Sequence, residues 1–175
     1  ALEVVLPDGE VAVIGGLDPE PLGLDLRGAF IGSEGTMGIT TKIAVRITKN
    51  PPAVGTLLLS FSSMRAAAQT VSAVIAAGIV PAAMEVMDQT AIHAVENSVF
   101  RAGLPLDAGA ILLVELEGSV SAVTHAAADS EIILKKFQPM SFEKAQSPQA
   151  RTALWKGRKG AGGALGRLAP DSYVM

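Results

Sequence analysis

The residue spacing best suited to chemistry is Gly32-Ser33-Glu34-Gly35-Thr36-Met37-Gly38. Glycines at every third position, with Ser33 and Thr36 between them, describe a turn whose backbone N–H groups converge on one concavity. With no Cβ in the way, an anionic ligand can come close to the main chain. A phosphate or the edge of a flavin ring suits such a turn. No Gly-Lys-Ser/Thr follows, so it is not a P-loop; a plain β-turn ahead of Ile39 is the competing reading.

A second candidate is Arg158. Steps of three and four from Leu154 reach Arg158, then Ala161 or Gly162, then Leu165, which sets a permanent charge on a stripe of apolar and small residues. An arginine there suits a bidentate grip on a carboxylate. The alternative is a packed stem with its head in water. Lys156, Lys159 and Arg167 complete a short basic group that reads as a solvated helix face. Gly160 to Gly166 imitates a dinucleotide fingerprint, but Leu165 breaks the spacing and no strand precedes it, so no NAD site is assigned. Glycines in a helix interior cost about 1 kcal/mol each relative to alanine, which requires a frayed helix or close approach to a part outside the chain. His93 and His125 have no second ligand four residues away and receive no role. Glu85 and Asp88 resemble paired carboxylates, but Asp88 is better explained as a helix cap.

Composition narrows the classes. The 175 residues are 49% hydrophobic with a formal net charge of −3, so the chain folds and lacks the electrostatic footprint of a nucleic-acid binder. With no cysteine and two histidines, thiolate metal sites, Fe–S clusters and cysteine nucleophiles are excluded for these residues. The longest apolar stretch, Val71 to Met84, is interrupted by Gly78 and Pro81 and is shorter than the ~20 residues of a transmembrane helix. No signal peptide is visible. The abrupt ends at Ala1 and Met175 read as a segment of a longer protein.

The elements that must position these residues follow from punctuation and period. Leu2 to Leu6 and Val11 to Ile14 flank Pro7-Asp8-Gly9-Glu10 and form a hairpin. Gly15 to Leu26 reads as a loop, Ala29 to Ile31 as a short apolar run, and Ile39 to Ile47 as a half-buried strand. Lys49-Asn50-Pro51-Pro52 breaks regular structure and marks a domain boundary. Beyond it, strands at Gly55–Phe61, Ala82–Met87, Ala110–Leu116 and Ser141–Lys144 alternate with helices. Ser62-Ser63, Asp88, Ser119 and Ser147-Pro148 cap those helices. The alternation predicts helices packed on one face of a sheet.

Gly23 through Thr41 closely resembles the flavin-contacting segment of FAD-linked oxidases of the vanillyl-alcohol-oxidase type. The resemblance continues, in the family's order, through Glu3–Glu10, Ile79–Asp88, Leu112–Gly118 and Leu154–Lys159. The superfamily includes the glycolate oxidase flavoprotein subunit and the D-lactate and D-2-hydroxyglutarate dehydrogenases. The resemblance implies FAD contacts, mostly through backbone atoms, at Gly32, Ser33, Glu34, Gly35, Thr36, Gly38 and Ile39. Leu24 stands where the family often has tyrosine, which removes a hydroxyl, and Met37 where it usually has leucine. Arg158 matches the arginine of a tryptophan-x-x-arginine motif that holds the substrate carboxylate; the neighbouring family hydroxyl falls near Gly162, which supplies none.

The fold class so implied is α+β. Residues 1–52 are the C-terminal end of an FAD-binding domain, a β-hairpin and strands. Residues 53–175 begin the substrate or cap domain, a mixed sheet with helices packed on one face and ferredoxin-like elements. The family's pyrophosphate loop would lie upstream, and its histidine and acidic ligands for a divalent metal downstream of Met175. The implied activity is hydride transfer from a glycolate- or D-lactate-type 2-hydroxy acid to FAD, with a general base from the downstream part. The resemblance also implies an electron acceptor or oxidase-complex subunits as partners, and a location in the cytoplasm or at the membrane periphery. A non-catalytic α+β ligand-sensing or interaction module is the alternative.

Overall fold

The computed structural model describes residues 1–17 and 23–168. The chain divides into residues 1–50 and 51–175. Asp18–Leu22 of the expected loop, and residues 169–175, lie outside the described residues.

In the first unit, β1 (Leu2–Val5) and β2 (Val11–Ile14) form the hairpin, and β3 (Ile39–Ile43) pairs antiparallel on the other side of β1. Alternation turns Leu2 and Val4 inward, where Phe30 meets them in a small core. Phe30 arrives on α1 (Leu26–Phe30), capped by Asp25, whose carboxylate accepts from the Gly28 amide at 3.0 Å. Only one helical turn long, α1 left no periodic signal, and its end appeared in the sequence as an apolar run. β3 is shorter than the expected Ile39–Ile47. Its register pairs Ile43 with Leu2, and the Ala44 amide bonds the Ala1 carbonyl, so Val45 and Ile47 lie past the last paired position.

The second unit runs β4 (Ala53–Phe61), α2 (Met64–Ala76), β5 (Ala83–Asp88), α3 (Gln89–Glu96), β6 (Ala110–Gly118), α4 (Val120–Lys135), β7 (Ser141–Lys144) and α5 (Pro148–Leu165). All four expected caps form, the first of them through the second serine of Ser62-Ser63: Ser63, Asp88, Ser119 and Ser147 each accept a backbone amide three residues on. Each satisfies one of the donors that a helix start leaves without an intrahelical partner.

The strand order is β5-β6-β4-β7, with every pairing antiparallel. This is a split βαβ pattern of ferredoxin-like type with α3 inserted between β5 and β6. The α+β class holds, but the sheet is antiparallel, not mixed. Its parallel-running strands, β4 with β5 and β6 with β7, are each separated by one intervening strand. Right-handed crossovers then carry α2 and α4 to one face, where they bury Leu57, Leu59, Phe61, Leu112 and Val114.

Helices also cover the other face, contrary to the one-face expectation. The inserted α3 and the trailing α5 are not crossover helices, so that handedness rule does not bind them. They cover Leu58, Met87, Ile111 and Leu113. Thus β4 and β6 are buried on both sides, which explains their near-continuous apolar sequence.

Candidate active site

In the first unit, the glycine-rich turn follows α1. Ser33 N bonds the Phe30 carbonyl at 3.2 Å, and the Thr36 amide and hydroxyl both donate to the Ser33 carbonyl, at 2.9 and 2.6 Å. Gly32, Glu34 and Gly35 have φ of 85°, 50° and 80°. Glu34 is a non-glycine residue in left-handed territory, an unfavourable conformation of a kind that clusters at ligand sites. A Cβ on Gly32 or Gly35 would meet nothing within 4 Å, whereas one on Gly38 would lie 2.6 Å from the Val5 carbonyl oxygen. Two glycines therefore face open space, and the third lets β1 pack. A cavity of about 340 Å³ is lined by Phe30, Gly32 to Gly35, Gly38 and Ile39, together with neighbours on β1 and β3.

In the second unit, α5 lies over the sheet. Arg151 and Arg158, two helical turns apart, point to the same face. Arg151 grips Glu115 of β6 through Nε at 2.8 Å and a terminal nitrogen at 2.7 Å. Trp155 Nε1 and Thr56 Oγ1 also donate to that carboxylate. Burial pushes the Glu115 carboxyl up, but the bonds from Arg151, Trp155 and Thr56 outweigh it and hold the group below the ordinary carboxylate value. A cavity of about 550 Å³ opens beside this network, walled by Phe100, Trp155, Lys156 and Lys159.

Arg158 differs. Its Nε donates to Glu85 of β5 at 2.8 Å, and its terminal nitrogens have no partner among the described residues. Arg158 and Glu85 are both partly exposed, at 39% and 32% of their side chains. Leu154, Ala161 and Leu165 accompany Arg158 as the stripe anticipated, while Lys156, Lys159 and Arg167 face solvent.

The glycines of α5 do not fray it. A Cβ on Gly160 would lie 2.3 Å from Phe100 Cγ, and one on Gly157 would lie 2.9 Å from Ala102 Cβ. The expected close approach to a part outside the chain is instead an approach by the loop after α3. That loop is held by Glu96, whose carboxylate accepts the amides of Ala102, Gly103 and Leu104 at 2.9 to 3.2 Å. Gly162 meets no neighbour.

Sequence reasoning missed Glu115, Arg151, Trp155 and Glu96 as a supporting set. A lone glutamate inside the apolar run of β6 was the available signal. Asp88 is a cap, accepting the Ala91 amide at 2.7 Å, so Glu85 and Asp88 are not a catalytic pair. His93 is exposed, and the ring of His125 pairs with the Ser121 carbonyl at 2.8 Å. Among the described residues, no helix is long and apolar enough to cross a membrane, and no group of three or more His, Asp or Glu could hold a metal ion.

The fold is one already seen in solved structures. It superposes on 4-ethylphenol oxidase from Gulosibacter chungangensis with a TM-score of 0.70 at 17% identity, covering 97% of this chain and 40% of that one. The chain belongs to the FAD-linked oxidases: the family model described as "FAD linked oxidases, C-terminal domain" matches residues 50–175. It is 40% identical over 174 residues to glycolate oxidase subunit GlcD of Escherichia coli K12, covering 99% of this chain and 35% of the relative. It is 30% identical over 176 residues to the mitochondrial D-lactate dehydrogenase [cytochrome] of Arabidopsis thaliana, covering 100% and 30%. The chain thus spans about a third of the length of these curated relatives.

Proposed function

We propose that the complete protein is an FAD-dependent oxidoreductase acting on a small 2-hydroxy acid of the glycolate or D-lactate type. The observation that carries this reading is Arg158, a guanidinium anchored among the described residues by Nε alone, with no further partner there for its terminal donors. Its chain is 40% identical to a glycolate oxidase subunit. Residues 1–52 would be the end of the FAD-binding domain and residues 53–175 the beginning of the substrate domain.

The residues of the first unit fit a flavin. Gly32 and Gly35 present backbone to open space beside a 340 Å³ cavity, where side chains would block approach. Gly32, Ser33, Glu34, Gly35, Thr36 and Ile39 would hold the cofactor, with Gly38 keeping the turn close to β1. When bound, FAD supplies the hydride acceptor for oxidation of the substrate α-carbon. Arg158 holds the substrate carboxylate and so orients that carbon. The Arg151–Glu115 network fixes the helix that carries Arg158.

No cluster fit for the divalent metal that the resemblance implies exists among the described residues, so no step runs through one. An electron acceptor or partner subunits, and a cytoplasmic or membrane-peripheral location, follow from the same reading and not from any residue described above.

The test uses the full-length protein. A yellow preparation bleached by anaerobic glycolate or D-lactate is expected; a colourless one, or a flavin that no 2-hydroxy acid reduces, refutes the reading. Gly35→Val is expected to lower FAD content. Arg158→Ala is expected to keep FAD and raise KM about 100-fold, the order of losing a charged hydrogen-bonding partner.

A further inference from the structure

Arg151 and Arg158 are held to the same sheet through different numbers of guanidinium donors. Glu115 takes both Nε and a terminal nitrogen of Arg151, which uses the side edge of the fork in full. Glu85 takes only Nε of Arg158. A guanidinium has five N–H donors in fixed directions, so an anchor at Nε restricts the plane and leaves the two terminal nitrogens as a second fork.

The surroundings of Glu85 sharpen the point. It stands on β5 opposite Leu113, beside Met87, with Leu58, Leu104 and Leu154 around the same small void. No donor other than Arg158 reaches its carboxylate among the described residues. An apolar side chain would pack here without desolvating a charge. A glutamate at this place is explained by what it does to Arg158.

We propose that Glu85 is a positioning residue: by holding Arg158 at Nε it presents the two terminal guanidinium nitrogens as a fork for the substrate carboxylate. The inference rests on the reading of Arg158 as the carboxylate grip. Without Glu85 the long side chain samples several rotamers and must be ordered at each binding event. The loss then falls on substrate binding and spares the hydride step.

Three variants of the full-length, FAD-loaded protein test this, with steady-state turnover followed through reduction of an added redox dye as electron acceptor. Glu85→Met fills the apolar site but accepts no hydrogen bond. It is expected to raise KM for glycolate or D-lactate about tenfold, the worth of one hydrogen bond to a charged group, with kcat within about twofold and FAD content unchanged. Glu85→Gln keeps an amide oxygen for Nε–H and is expected to restore KM to within about threefold of the parent. Arg158→Ala is the control for the underlying reading.

An unchanged KM in Glu85→Met beside a raised KM in Arg158→Ala overturns the positioning role and leaves the carboxylate grip standing. An unchanged KM in Arg158→Ala overturns the grip and the positioning role with it. Glu85→Gln as impaired as Glu85→Met, or loss of flavin or of kcat in Glu85→Met, also overturns the proposal, since charge or folding would then be what Glu85 supplies.

Discussion

The first turn and the middle of α5 carry the same pair of residue types against the same sheet and put them to different uses. At Arg151 the glutamate is buried and receives four hydrogen bonds from three side chains. At Arg158 both partners are partly exposed and share one bond. A closed network locks a helix in place, and an open one leaves donors for a ligand. On the proposed reading of Arg158 as a carboxylate grip, the difference makes an arginine's fitness for binding depend on how many of its donors the fold has already used, more than on its charge.

The largest expected effect comes from breaking the closed network. Glu115→Ala removes the acceptor of Arg151, Trp155 and Thr56 and is expected to cost about 2–3 kcal/mol of stability, measured by chemical denaturation. Because the folded Glu115 carboxyl lies below its ordinary value, its contribution is present above the ordinary range of about 4.3. It is lost as pH falls through the folded value. Glu115→Gln should therefore flatten the acid limb of the stability profile, and an unchanged limb would show that other carboxylates govern it.

Next come the glycines of α5 just beyond Arg158. Gly160→Ala sets a Cβ against the Phe100 ring and is expected to destabilise by about 1–3 kcal/mol. Gly162→Ala, with open space around it, is expected to stabilise by about 0.5–1 kcal/mol through helix propensity. Thermal melts of the two variants moving in the same direction would remove the distinction between packed and idle glycines. The smallest effect on stability belongs to the open network. Arg158→Ala is expected to change it by less than about 1 kcal/mol, as for other partly exposed pairs, while substrate use falls.

Much of the second unit was legible because its elements are punctuated: Ser63, Asp88, Ser119 and Ser147 each precede a helical period and each caps a helix. The strands β4 and β6 showed as apolar runs between breakers. The faces of the sheet were not legible, since nothing local in α5 states that it returns to the side opposite α2 and α4. The same reason hid the arginine pairs: Arg151 lies 36 residues from Glu115, and Arg158 lies 73 from Glu85. In α5 the glycines announced a close approach, but only tertiary packing identifies Phe100 as the approaching group. For the glycine-rich turn, glycine spacing disclosed the special backbone, while the division of labour between Gly35 and Gly38 needed the position of Val5.

The strand order has a consequence for how the protein is made. β4 is first of its sheet to be synthesised, yet it sits between β6 and β7. Thr56 waits 59 residues for Glu115, and Ser60 waits 81 for Ser141. Such distant pairings close slowly, because the entropy of bringing far segments together is spent before any contact rewards it. Until then the run Leu57-Leu58-Leu59 leaves the ribosome with both hydrogen-bonding edges unmatched, the kind of segment that seeks strands on other chains. Early shelter of that one strand, for instance by docking of α2 onto it, is therefore expected to raise the yield of folded protein.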